Sequence, residues 1–152
     1  MFIENISYEA IRDGIHFDAG DNSMLIQIGD PDMSLPIPKY KFKEVKQYKF
    51  LDIEHEDLQA ISDEQAQSIA NDLLYALNNS MNVIVHCHAG ICRSGAVAEV
   101  GVMLGFQDTE KFRAPNLRVK HKLLKALNMS YDSNEQGYTV HGTFTASGIY
   151  LG

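Results

Sequence analysis

The residues best able to do chemistry lie together in His86-Cys87-His88-Ala89-Gly90-Ile91-Cys92-Arg93-Ser94-Gly95, where a cysteine is followed after five residues by an arginine. They come directly behind Val83-Ile84-Val85, a run suited to a buried strand, and ahead of an apolar stretch that reads as a helix. A short loop between strand and helix, freed by Gly90 and Gly95, lets successive backbone N–H groups converge on an anion at the helix N-terminus. Arg93 adds a planar, two-pronged donor that matches phosphate oxygens. With amides, helix dipole and guanidinium directed at one centre, Cys87 is favoured there in its reactive thiolate form. The segment reads as a nucleophile, Cys87, inside an anion cradle formed by His88, Ala89, Gly90, Ile91, Cys92 and Arg93. Neighbouring strand residues point to opposite faces, so His86 is turned away from the thiolate. His86, Cys87, His88 and Cys92 could also suggest zinc. Contiguous ligands rarely converge on one tetrahedral ion, however, and the Cys-x2-Cys spacing is missing, so neither a metal nor a cofactor is expected.

The form His-Cys-x-Ala-Gly-Ile-x-Arg-Ser resembles the signature of the cysteine-dependent protein tyrosine phosphatases, and within them the compact dual-specificity group of bacterial and phage type. Three flanking segments are similar to the layout of those members: Ser23 to Ile28 followed by Asp30-Pro31, then Phe50-Leu51-Asp52-Ile53, then Arg113-Ala114-Pro115-Asn116. The likeness spans about residues 1–130. It implies hydrolysis of phosphotyrosine, and of phosphoserine or phosphothreonine besides, through a cysteinyl-phosphate. By the same resemblance Arg93 binds substrate and stabilises the transferring group. Ser94 donates a hydrogen bond to Cys87 and assists its departure, and His86 stiffens the loop through bonds from its ring to the backbone. Cys92 departs from the pattern, which more often has serine, glycine or another small residue there. It is either a small filler or a thiol that traps oxidised Cys87 as a disulfide.

A phosphoester mechanism also needs a group that protonates the leaving oxygen. Phe50-Leu51-Asp52-Ile53-Glu54-His55-Glu56-Asp57 offers four carboxylates on one expected loop. Asp52 follows the Phe-x-Asp pattern of several branches of the resembled family, whereas Asp57 fits the spacing of its eukaryotic dual-specificity members. Asp52 is slightly preferred, and both stay candidates. Phosphoinositides and RNA 5′-phosphates are alternative substrates for such a loop, and a catalytically weak phosphopeptide-binding module is an alternative function. An intact Cys87, Arg93 and Ser94 argues against a mere reader. Sulfur transfer or arsenate reduction is a weaker reading, because arsenate reductases carry the cysteine near the N-terminus, unlike position 87 here, and sulfur-transfer loops are usually of different length.

The elements that must position these residues follow from periodicity. Phe2 to Asn5 suggests a short edge strand, Ser7 to Asp13 a helix capped by Ser7, and Met24 to Ile28 a strand. The prolines between Asp30 and Pro38 require a loop, and Val45 to Ile53 reads as a strand with one wet face. Ser62-Asp63-Glu64-Gln65 is a capping box that opens a helix running to Asn79. Asn82 to Val85 is the expected central strand, followed by helices over Arg93–Leu104 and Asn116–Leu127. Strands alternating with helices predict an α/β fold, a mainly parallel central sheet flanked by helices, with the loop at a strand's carboxyl end. Residues 1–130 form the expected single domain, and 131–152 a C-terminal extension, either a hairpin or a loose tail.

The bulk properties agree with a globular chain of 152 residues, 45% of them hydrophobic. No apolar run is long enough for a membrane span, and the first residues lack a signal-peptide pattern. With Cys87 and Cys92 as the only cysteines, a disulfide framework is unexpected and a cytoplasmic location is implied. The net charge of −7 makes nucleic acid an unlikely partner and no membrane is expected, leaving a phosphorylated protein or peptide as the anticipated substrate. Eleven of the 13 lysines and arginines fall in two clusters, at Lys39–Lys49 and Lys111–Lys125. The clusters are either solvated faces or a field that steers phosphorylated substrates.

Overall fold

The computed structural model describes residues 1–132 and 137–140. Five strands, β1 (Phe2–Ser7), β2 (Ser23–Gly29), β3 (Glu44–Lys49), β4 (Asn82–Cys87) and β5 (Gln107–Asp108), form one sheet in the order β3-β2-β4-β1-β5. Every pairing in it is parallel. The helices α1 (Tyr8–Asp13), α2 (Asp63–Asn78), α3 (Arg93–Leu104) and α4 (Leu117–Ala126) flank the sheet. A further antiparallel pair, β6 (Met129–Asp132) and β7 (Gly137–Val140), follows α4. The rest of the expected C-terminal hairpin or tail, residues 133–136 and 141–152, lies outside the described residues.

Side-chain alternation divides the sheet into two cores. Ile3, Met24, Ile26, Ile28, Val83, Val85 and Cys87 face one way, against Ile69, Leu73, Val97, Val100, Val119 and Leu123 of the three long helices. Ile6, Leu25 and Ile84 face the other way, against Ile11, Ala19 and Phe42. β4 is buried on both faces between β2 and β1, as its uninterrupted apolar run requires. The capping box of α2 forms as expected: Gln65 N–H donates to Ser62 Oγ, and Ser62 N–H donates to Gln65 Oε1.

Two expectations are corrected. Phe2–Asn5 is not an edge strand. β1 runs on to Ser7 and is covered on its outer side by the two-residue β5, which has too little length to show in a sequence pattern. The strand expected over Val45–Ile53 stops at Lys49. Phe50 makes the last ladder bond, to Gly29 O, and Leu51 N–H then turns to Gln59 O at 2.8 Å, so residues 51–59 leave the sheet as a loop. That early exit puts Asp52 beyond the carboxyl end of the strands rather than within the sheet.

Candidate active site

The parallel sheet brings the ends of β2, β3 and β4 to one edge, and the chemically equipped residues collect there. Cys87 ends β4 and is 3% exposed, with Sγ 3.1 Å from the hydroxyl of Ser94 in the first turn of α3. His86 points to the opposite face of the strand from Cys87, with its ring edge-on to Tyr8.

The loop between them is anchored through its carbonyls. His88 O accepts from Tyr8 N–H, Gly90 O from Asn5 Nδ2 at 2.7 Å, and Ile91 O from Ala114 N–H. Cys92 O accepts from the N–H groups of both Ala96 and Asn116. A trans peptide plane sets its C=O and N–H in opposite directions, so planes whose carbonyls are tied outward present the N–H groups of Ala89, Ile91, Cys92 and Arg93 on the other side. Gly90 makes this possible. Its φ of +77° lies in the left-handed region, and a Cβ there would fall 2.3 Å from the Ile6 carbonyl carbon and 2.5 Å from Ser7 N. Loop and β1 are therefore in direct backbone contact.

Arg93 is 4% exposed, and one arm of its fork is occupied. Its Nη1 donates to Asp30 Oδ1 at 2.8 Å and to the Phe50 carbonyl at 2.7 Å. Its Nε is buried and has no hydrogen-bond partner among the described residues. Two contacts from the residues just past β2 and β3 thus fix the guanidinium plane and leave the other edge for an acceptor that none of the described residues provides. An unpaired buried donor costs about 1–3 kcal/mol, which an arriving oxyanion would offset. A small cleft over Arg93 is walled by Tyr8, Asp30, Met33, Leu35 and His88.

No protein-family model matches this chain, and no curated protein matches it.

The two aspartate candidates part company here. Asp52 Oδ1 accepts from Asn116 Nδ2 at 2.8 Å, and its carboxylate lies against Cys92. Burial first, then the Asp52 charge, pushes the Cys92 thiol above its ordinary value, with Arg93 opposing. Asp57 is exposed, and its Oδ1 accepts from Gln59 N–H at 2.8 Å, closing a turn. Of the cradle residues, His88 and Ala89 are exposed, Gly90 is buried, and Ile91 and Cys92 are half-buried, with Cys92 at the N-cap of α3. His86 is fully buried. Its Nδ1 lies 3.2 Å from the Cys87 carbonyl, which can only accept, so Nδ1 carries the hydrogen. Burial, reinforced by the nearby Arg93 charge and opposed by that hydrogen bond, lowers the imidazole to about 4 and keeps it neutral.

Three site residues escaped the sequence reading as participants. Asp30 stood only as part of an Asp-Pro pair; the signal was available, because a carboxylate just past a strand adjoining β4 opens onto the same crevice. Asn116 stood only as the start of an expected helix; its Oδ1 caps α4 through Val119 N–H, and its reach to Asp52 carried no sequence signal. Asn5 on β1 carried no signal. Of the second basic cluster, Arg113, Arg118, Lys120 and Lys122 are ion-paired with Asp108, Glu56, Glu99 and Asp63. Lys41 and Lys43 lead into β3, at the sheet edge away from Cys87. Among the described residues no group of three or more His, Cys, Asp or Glu is placed to hold a metal ion, and no helix is long and apolar enough to cross a membrane.

Proposed function

We propose that this protein is a cysteine-dependent phosphatase that hydrolyses phosphotyrosine in proteins or peptides, and phosphoserine or phosphothreonine besides, through a cysteinyl-phosphate. The observation that carries the reading is the buried Arg93, clamped through Nη1 with its Nε unsatisfied, on the same loop as a buried cysteine whose sulfur lies 3.1 Å from a hydroxyl. In the first step the phosphoryl oxygens bind the loop amides and Arg93 while the Cys87 thiolate attacks phosphorus. The P–O bond to the leaving group breaks, and Asp52 gives that oxygen a proton. In the second step water attacks the cysteinyl-phosphate, giving its proton to the Asp52 carboxylate. The S–P bond breaks toward Cys87, whose returning charge accepts a hydrogen bond from Ser94. Fixed donors aimed at the equatorial oxygens supply the largest share of the acceleration in this chemistry.

The ion-paired state of the second basic cluster speaks against a polyanionic lipid or RNA. The test is phosphate release from phosphotyrosine, phosphoserine/threonine, phosphoinositide and RNA 5′-phosphate substrates by the wild type, Cys87→Ser, Asp52→Ala and Asp57→Ala. Turnover of phosphotyrosine peptide that disappears in Cys87→Ser and falls about 10²- to 10⁴-fold in Asp52→Ala but not in Asp57→Ala is expected. Absence of turnover with retained phosphopeptide binding would make the protein a reader and end the proposal.

A further inference from the structure

Four hydrogen bonds fasten the loop carrying Asp52 to the start of α4. Asn116 Nδ2 donates to Asp52 Oδ1 at 2.8 Å and to Ile53 O at 3.1 Å. Leu117 N–H donates to a carboxylate oxygen of Glu54, and Arg118 Nη1 donates to Glu56 at 3.1 Å. Asn116 alone also reaches the cysteine loop, because its own N–H donates to Cys92 O at 3.0 Å. Its remaining side-chain oxygen accepts from Val119 N–H, so every polar atom of the amide is committed. The residue is 4% exposed and cannot turn without breaking several of these bonds at once.

One residue thus joins three parts: its side chain binds the aspartate loop and the helix cap, and its backbone N–H binds the cysteine loop. The distance between the proton donor and the nucleophile is otherwise set by residues 51–59, which carry no regular structure and expose most of their side chains. We infer that Asn116 is a positioning residue for catalysis, holding the Asp52 carboxyl at a fixed distance from the phosphoryl group bound over Cys87. Donation to Oδ1 also orients the carboxyl group, leaving Oδ2 as the oxygen that carries the transferable proton. Asn116 touches neither substrate nor the reacting atoms; it acts through Asp52. This inference rests on the phosphatase reading and on Asp52 as the acid.

Leaving-group dependence separates a positioning role from a structural one. An ester whose leaving group departs without protonation, such as a fluorinated umbelliferyl phosphate, bypasses the acid, whereas phosphotyrosine needs it. Asn116→Ser keeps an oxygen to cap α4 but is too short to reach Asp52. It is expected to lose about tenfold to hundredfold in kcat on phosphotyrosine peptide and less than about threefold on the activated ester, with inhibition by inorganic phosphate unchanged. In an Asp52→Ala background the same change should have no further effect on phosphotyrosine turnover. Asn116→Asp, which also keeps the cap but cannot donate, provides the same comparison if the serine variant does not fold. Equal losses on both substrates, or a weakened hold on inorganic phosphate, would overturn the positioning role while leaving the phosphatase reading intact. Wild-type protein inert toward both esters would instead remove the phosphatase reading and this inference with it.

Discussion

Acidification should destabilise this protein through one imidazole. His86 is fully buried next to Arg93, and its pKa falls from 6.5 to about 4. In the unfolded chain the ring takes up a proton as the pH drops through 6.5, while in the folded protein it stays neutral until about 4. The unfolded state therefore binds more protons inside that window, and its population grows as the pH falls. Stability is whole above pH 6.5, declines by about 1.4 kcal/mol per pH unit below it, and stops declining on this account near pH 4. The accumulated loss is about 3 kcal/mol, a large share of the 5–15 kcal/mol that holds a typical domain together. Urea unfolding at pH 8, 6.5, 5 and 4, in parallel on wild type and His86→Asn, isolates the effect from the carboxylates, which titrate in both proteins. The stability difference between the two should shrink by about 3 kcal/mol from pH 8 to pH 4, which is about 1–3 M in urea midpoint for ordinary slopes. A difference that stays constant with pH would refute the argument, because it would mean that His86 is charged or water-accessible in the folded state.

Two further outcomes follow from the loop and its clamp. Gly90→Ala should destabilise the fold by about 1–3 kcal/mol in urea titrations and also lower turnover, since the methyl group meets the backbone of Ile6 and Ser7 and the residue keeps a positive φ. Asp30→Asn should raise KM for phosphotyrosine peptide more than it lowers kcat, with the loss about tenfold in kcat/KM, because it removes the charge that holds the Arg93 plane; steady-state kinetics decide this, and an unchanged KM would count against the clamp.

The parts of the fold written in local sequence were readable, and those that depend on distant pairing were not. β4 announced itself because a strand buried on both faces must be apolar throughout, and α2 because Ser62 and Gln65 carry a capping signal within four residues. The inner place of β1 depends on β5, more than 100 residues away and two residues long. The end of β3 is decided by Gln59 O drawing Leu51 out of the ladder, a bond between residues whose types predict nothing about it. At the site, Cys87, Arg93 and Ser94 fall within eight residues of sequence, so their closeness could be read directly. Asp52 and Asp57 look alike in sequence; they separate only when Asn116 and Gln59 claim one each.

The cysteine loop cannot be regarded as a portable peptide. Its shape is held by Asn5 and Asn116, and its arginine by Asp30 and Phe50, partners 43 to 85 residues from the loop atoms they bind, apart from Asn116. Contacts of such long sequence separation form late, because the chain entropy they cost is repaid only once the parallel sheet has closed. A nascent or partly unfolded chain therefore carries its cysteine in an ordinary, unconverged segment. On the proposed phosphatase reading, the cysteine is armed only with the last consolidation of the sheet, by the same contacts that complete the fold.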